Sequence, residues 1–192
     1  MALQIAQDAR ADQVLTESPF ALLCGMLLDQ QFPMERAFAG PAKVLERFGS
    51  LDPADIAAAD PEQFAALCAE PPAVHRFPGS MAARIQALAA HVEAEYGGRA
   101  ERLWDKATDG RDLMRRLQAL PGFGKQKAQI FVALLAKQLG VRPDGWEKVA
   151  GDYAEPGSYR SVADVVDATS LDKVRSFKKE AKRAARAATP GS

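Results

Sequence analysis

Twice within ten residues the chain writes the same helix-start signal, Asp52-Pro53 and then Asp60-Pro61. An aspartate can accept from the unpaired amides of a helix's first turn. A proline suits the first helical position because its missing N–H would have no partner there. The stop signals are as plain. Gly97-Gly98 follows the amphipathic run Met81 to Tyr96, and Gly140 follows the apolar run Ala128 to Leu139. Nowhere does polarity alternate with period two, so no strand is expected. Pro19 to Leu28 is nearly all apolar and reads as a buried helix. Met34 to Phe48 is amphipathic, with a break or kink expected at Gly40-Pro41. Arg111 to Leu120, Val162 to Ala168 and Leu171 to Ala188 complete the helical segments. "PPAVHRFPGS" reads as a loop, the stretch from Gly140 to Tyr159 as loop with one or two short helical turns, and the closing TPGS as a tail. The expectation is an all-α protein of eight to ten short helices, with no solenoid period.

A chain of 192 residues, 47% hydrophobic, can bury the core of one ordinary domain or of two small interlocked ones. Gly and Pro are not in excess, which removes collagen-like and disordered classes. Cys24 and Cys68, the only cysteines, sit in apolar runs and read as small core residues rather than a disulfide. Two cysteines cannot supply a four-thiolate zinc or iron–sulfur site. No run of eighteen apolar residues is present, and the start lacks a basic-then-apolar signal, so a cytoplasmic protein with no membrane partner is expected. The formal charge is zero but unevenly spread. Residues 1–119 hold 12 Lys and Arg against 17 Asp and Glu, whereas residues 120–192 hold 13 against 8. The basic second part suits a polyanion, although charges also segregate in helical proteins without such a partner.

Within that basic part, Leu120-Pro121-Gly122-Phe123-Gly124-Lys125-Gln126-Lys127-Ala128 joins two helices. The glycines allow positive φ and close backbone approach. The residues from Lys125 on open a helix whose first amides are unpaired, and Lys125 and Lys127 add charge beside them. That set suits a phosphate of a nucleic-acid backbone. A plain helix connector with solvated lysines fits the same spacing.

The stretch "LPGFGKQKA" resembles the helix-hairpin-helix of the HhH-GPD superfamily of DNA glycosylases, which includes endonuclease III and the adenine and alkylbase glycosylases. Asp144, in "GVRPDGW" twenty residues after Gly124, fits the position of the family's aspartate. "LLCGMLLDQQF" resembles the family's early helix ending in a glutamine, and "HRFPGSMAARIQAL" resembles the segment before its long middle helix. The likeness spans Pro19 to Val149. It implies two all-α domains with DNA across the cleft between them. Residues 17–137 would form the helical barrel ending in the hairpin, and residues 1–16 with 138–192 the second domain.

The resemblance also implies site residues. Asp144 would stabilise positive charge on the sugar or help activate water; as a lone residue it could equally be a helix N-cap. Bifunctional relatives use a hairpin lysine as nucleophile. In that register stands Gln126, which cannot form an imine, with Lys125 and Lys127 each about 100° away around the helix. A monofunctional glycosylase without lyase activity is therefore expected. Gln31, with Gln30 beside it, matches the residue that fills the gap left by a flipped base. Gly122, Gly124, Lys125, Gln126 and Lys127 complete the expected nucleic-acid contacts. Asp29 could read a base amino group or simply cap. His75, Arg76 and Phe77 lie in a loop able to reach DNA, and Phe77 or Trp146 could stack on a base.

The sequence departs from the family in two places. The usual V-D-T-H around the aspartate is P-D-G-W here, without the Thr and His, and the C-terminal region has no cysteines for an iron–sulfur loop. No cofactor is expected beyond a monovalent cation that the family's hairpin allows. The last helix carries Lys173, Arg175, Lys178, Lys179, Lys182, Arg183 and Arg186, which could touch phosphates. The expected partner is double-stranded DNA holding a damaged or mispaired base, bound by a monomer. A catalytically inactive DNA-binding protein on the same fold stays open as the alternative.

Overall fold

The computed structural model describes residues 2–189, and its regular elements are all helical. Residues 190–192, part of the tail read from the sequence, lie outside the described residues. The helix α1 (Ala9–Glu17) lies outside the segments that the sequence pattern marks as helical. Asp8 caps it, accepting from the Ala11 amide at 2.8 Å, and it buries Ala11, Val14 and Leu15. Ser18 ends α1 and starts α2 (Pro19–Leu28), accepting from the Ala21 amide at 3.1 Å with Pro19 at the first helical position.

Of the break or kink expected at Gly40-Pro41, the break does not occur: α3 runs unbroken over Met34–Phe48. An internal proline costs a helix about 3 kcal/mol. Packing against α1 and α2 outweighs it, with Ala37, Phe38, Pro41 and Val44 all buried. A Cβ on Gly40 would sit 2.5 Å from Leu28 Cδ1, so glycine lets α2 and α3 approach closely there.

Both Asp-Pro signals are used. Asp52 caps α4 (Pro53–Ala58) and Asp60 caps α5 (Pro61–Ala69). The long α6 (Pro78–Tyr96) begins three residues before the sequence pattern, on Pro78, and ends at Gly97 in the left-handed region (φ 61°). α4 and α5 pack on it. A short α7 (Arg102–Asp105) leads to α8 (Gly110–Gln118), the hairpin turn and α9 (Lys125–Gln138). Next come α10 (Trp146–Ala150), a 3-10 turn over Gly151–Ala154, a second over Val162–Asp164 and finally α11 (Ala168–Ala188).

The helix expected over Val162 to Ala168 shrinks to that second 3-10 turn. Asp167 is extended instead and starts α11 with a reciprocal cap: the Ser170 amide donates to its carboxylate at 2.7 Å, and its own amide donates to Ser170 Oγ at 2.9 Å. Two backbone amides satisfied at once favour a fresh start over a continued helix.

The buried apolar side chains form one continuous cluster running from Leu3 to Val174. Two helices are buried on nearly every side: α2 from Phe20 to Leu28, and α9 at Ala128 and from Ile130 to Ala136. The end of α2 meets the hairpin that starts α9. A Cβ on Gly122 would lie 2.5 Å from Leu27 Cδ1.

Candidate nucleic-acid interface

The hairpin turn is tight because Gly122 sits at φ 82° and the Phe123 amide donates back to the Leu120 carbonyl at 3.1 Å. Phe123 is buried edge-on to Phe131, ring centroids 6.2 Å apart. Gly124 is different from what its spacing suggests. Its φ is −80°, open to any residue, and a Cβ added there would meet nothing within 4 Å. The fold does not require glycine at 124, and the space beside it faces outward. No side chain caps α9. Its first paired amide is that of Ala128, on the Gly124 carbonyl at 3.0 Å. The amides before it, with the positive end of the helix dipole, face the exposed side of the turn where Lys125 stands.

Lys127 does not join that exposed face. Its ammonium turns inward and donates to the carbonyls of Met26 at 2.6 Å and Asp29 at 3.0 Å, at the C-terminal end of α2. Burial lowers its pKa to about 8; nearby Asp29 opposes that shift, and Lys178 and Arg84 add to it. The Asp29 carboxylate is almost covered (side chain 8% exposed) and lies 3.6 Å from the Lys178 ammonium of α11. One turn earlier on α11, Arg175 pairs with Glu35 of α3. The terminal helix is thus clamped to the end of α2 by opposite charges rather than being merely solvated.

The two glutamines part company. Gln30 folds back onto the protein. Its Nε2 donates to the Leu27 carbonyl at 2.9 Å, its Oε1 accepts from Arg84 at 3.2 Å, and its carbonyl accepts from His75 Nε2 at 2.8 Å. His75 Nδ1 accepts from the Phe77 amide at 3.0 Å, which assigns the ring proton to Nε2. Gln31 is exposed and held at φ 52°, a left-handed conformation uncommon outside glycine. It is the side chain that the turn presents outward. The His75 loop lies beside it, and carries Phe77, 45% exposed, with Arg76 over its ring.

Asp144 stands elsewhere. Its carbonyl accepts from the Gly110 amide at 2.8 Å, and a Cβ on Gly110 would strike the Gly145 backbone at 2.8 Å. The turn is therefore pressed against the start of α8, the end of the hairpin away from Gly122. α8 spans 9 residues, roughly 13 Å. The side chain of Asp144 is exposed and meets no hydrogen-bond partner among the described residues. The N-cap reading fails, because Gly145 is the N-cap of α10 and no side chain caps that helix. Trp146 sits at this same end, half-buried in a cavity with Arg142 and Lys137. The structure thus gathers Gln30, Gln31, Gly122, Gly124, Lys125, Gln126 and Lys127 at one end of the hairpin, and leaves Asp144 and Trp146 at the other.

What faces Gln126 was not foreseen. Its Nε2 donates to the Tyr153 hydroxyl at 2.9 Å, and one turn on, Gln129 Nε2 donates to the Val149 carbonyl at 3.1 Å. These bonds bring the first 3-10 turn onto the exposed side of α9. No sequence signal marked Tyr153, which lay in a stretch read only as loop.

Both cysteines are free and buried. Burial pushes the Cys24 thiol well above its ordinary value and that of Cys68 to about 11. Two such thiols do not provide the four thiolates of an iron–sulfur cluster. No group of three or more His, Cys, Asp or Glu side chains among the described residues is arranged to hold a metal. Among those residues no helix is long and apolar enough to cross a membrane.

A hairpin whose helix N-terminus faces outward, seated on the end of a buried helix with an outward-turned glutamine, defines a helix-hairpin-helix protein. The family model of the HhH-GPD superfamily of base excision DNA repair proteins matches residues 24–189, and the chain belongs to that superfamily. No curated protein matches the sequence.

Proposed function

We propose that the protein is a monofunctional DNA glycosylase, acting in the cytoplasm as a monomer on a damaged or mispaired base in duplex DNA. Family membership makes base excision repair the setting. The observation that carries the finer reading is the state of the amines around the hairpin. The register of the family's nucleophilic lysine holds Gln126, whose amide is engaged by Tyr153. The neighbouring Lys127 ammonium is committed to two backbone carbonyls. With no amine at that position, the sugar is attacked by water. The N-glycosidic bond breaks, the electron pair leaves with the base, water adds to the sugar carbon, and its proton ends on the departing base. Asp144 would stabilise the positive charge on the sugar or orient that water. Gln31 would fill the gap left by the flipped base, and the hairpin amides with Lys125 would hold the backbone. No step runs through a metal or cluster.

The second reading is a DNA-binding protein without catalysis, favoured by the exposed and unpartnered side chain of Asp144 at the far end of the hairpin. One experiment separates the two. Duplexes each holding one lesion are incubated with protein and with Asp144→Asn, then developed with and without hot alkali. Breaks only after alkali, lost in Asp144→Asn, establish the hydrolytic glycosylase. Breaks without alkali overturn the argument from Gln126. Intact DNA throughout, with duplex binding retained, selects the second reading.

A further inference from the structure

One cavity opens beside Gln126. It has a volume of about 390 Å³ and is lined by Gln129, Gly151, Asp152, Tyr153, Arg160 and Phe177. That size is within the range of small-ligand pockets, about 300–1,000 Å³. Four separate pieces of chain build it: α9 supplies Gln129, the first 3-10 turn supplies Gly151, Asp152 and Tyr153, the loop after it supplies Arg160, and α11 supplies Phe177. It lies one helical turn along the same face of α9 from the position where the family places its nucleophile.

Its chemistry is specific. The Arg160 guanidinium stacks on Phe177, its carbon 5.4 Å from the ring centroid, and forms a flat aromatic and cationic wall. The outer nitrogens of Arg160 are committed to Glu155 at 3.3 Å and Asp152 at 4.0 Å. Its Nε–H is buried and has no partner among the described residues. Tyr153 accepts from Gln126 and keeps its own hydroxyl proton to donate. Gln129 has spent an N–H on Val149 and keeps its carbonyl oxygen to accept. The pocket therefore offers a flat stacking wall, two donors and an amide acceptor.

We infer that this cavity receives the extrahelical base, and that it selects a neutral base bearing a carbonyl oxygen beside a ring N–H, as in uracil, hypoxanthine or 8-oxoguanine. The carbonyl takes the Arg160 Nε–H or the Tyr153 hydroxyl, and the ring N–H reaches Gln129. A cationic alkylated purine meets the guanidinium charge, and an amino group standing in place of that carbonyl, as in adenine, sets donor against donor. The location rests on the glycosylase reading; the recognition chemistry does not.

The test has two arms. In the first, single-turnover excision is compared on duplexes holding uracil, hypoxanthine or 8-oxoguanine and on duplexes holding 3-methyladenine, 7-methylguanine or mispaired adenine. The variants are Phe177→Ala and Arg160→Lys, which keeps the charge while replacing the Nε–H. In the second, saturation-transfer NMR reads binding of free uracil, hypoxanthine and adenine to the same proteins. Release confined to the carbonyl bases is expected, slowed about tenfold to a hundredfold by Phe177→Ala and about tenfold by Arg160→Lys. Affinity for undamaged duplex, which presents no extrahelical base, should be unchanged. Release of the methylated purines or of mispaired adenine alone overturns the inference and leaves the glycosylase reading standing. No release from any duplex, with uracil or hypoxanthine signals that vanish in Phe177→Ala, removes the glycosylase reading and retains the pocket. Neither release nor such signals overturns both.

Discussion

The Lys127 ammonium donates to the carbonyl of Met26, 2.6 Å away in space and 101 residues away in the chain. A cation at a helix C-terminus is favoured by the helix dipole. Here it also fastens the residue before the Gln30–Gln31 turn, because the Asp29 carbonyl is its second acceptor. Lys127→Met should leave both carbonyls without this donor and lower stability by about 1–3 kcal/mol. It should also weaken duplex binding, since Gln31 loses its anchor. Lys127→Arg should recover part of the binding. Urea titration and fluorescence anisotropy on labelled duplex read the two effects.

The same lysine has a signature in pH. Its folded pKa is lowered from the ordinary 10.5 to about 8. Between those values the unfolded chain holds more protons, so stability due to this residue rises with pH. The burden of the buried charge is fully present below pH 8 and is relieved by about pH 10.5. The stability difference between wild type and Lys127→Met, followed from pH 7 to pH 10.5, should shift in favour of the wild type as pH increases. A flat difference would show that Lys127 is not depressed.

Gly122 and Gly124 should separate folding from binding. Gly122→Ala forces a side chain into φ 82° and onto Leu27, and should cost about 1–3 kcal/mol of stability. Gly124→Ala meets open space at an ordinary φ, so the melting temperature should hold while duplex affinity falls, because the methyl group occupies the approach of the phosphate. Calorimetry and anisotropy on both variants check the contrast; equal affinity in Gly124→Ala and wild type would remove the hairpin from the interface.

Gln126→Lys should supply the missing amine. The expected outcome is a covalent adduct with lesion-bearing DNA that borohydride traps, and strand breaks without alkali. An untrappable Gln126→Lys protein that still releases base would place the sugar beyond reach of that position.

Asp144→Asn should leave stability within about 0.5 kcal/mol, because the carboxylate is exposed and has no hydrogen-bond partner among the described residues. Under the glycosylase reading the same change abolishes base release. A large drop in melting temperature would mean that the carboxylate has a structural duty.

The helical class was legible because local signals and tertiary packing agree. Asp52, Asp60 and Gly97 act at the positions where the sequence reads them. The signals failed where packing overrode propensity, as at Pro41, or where two caps competed, as at Asp167. The hairpin was legible as a motif, since its glycines and the register of Gln126 are local facts. The inward turn of Lys127 was not, because an ammonium's choice between solvent and a distant helix end depends on which helix end arrives there. Tyr153, Arg160 and Phe177 were invisible for the same reason: each lies on a different element, and only the packing of α9 and α11 assembles them.

The clamp between α11 and the end of α2 also sets an order of events at birth. Asp29 and Glu35 leave the ribosome early, yet their cations, Lys178 and Arg175, arrive some 140 residues later. Until then the growing chain holds an acidic helix end awaiting its counterions, and the wall that Phe177 gives the cavity does not exist. A truncation before α11 would remove that wall, so the cavity depends on the helix that is added last among those that line it.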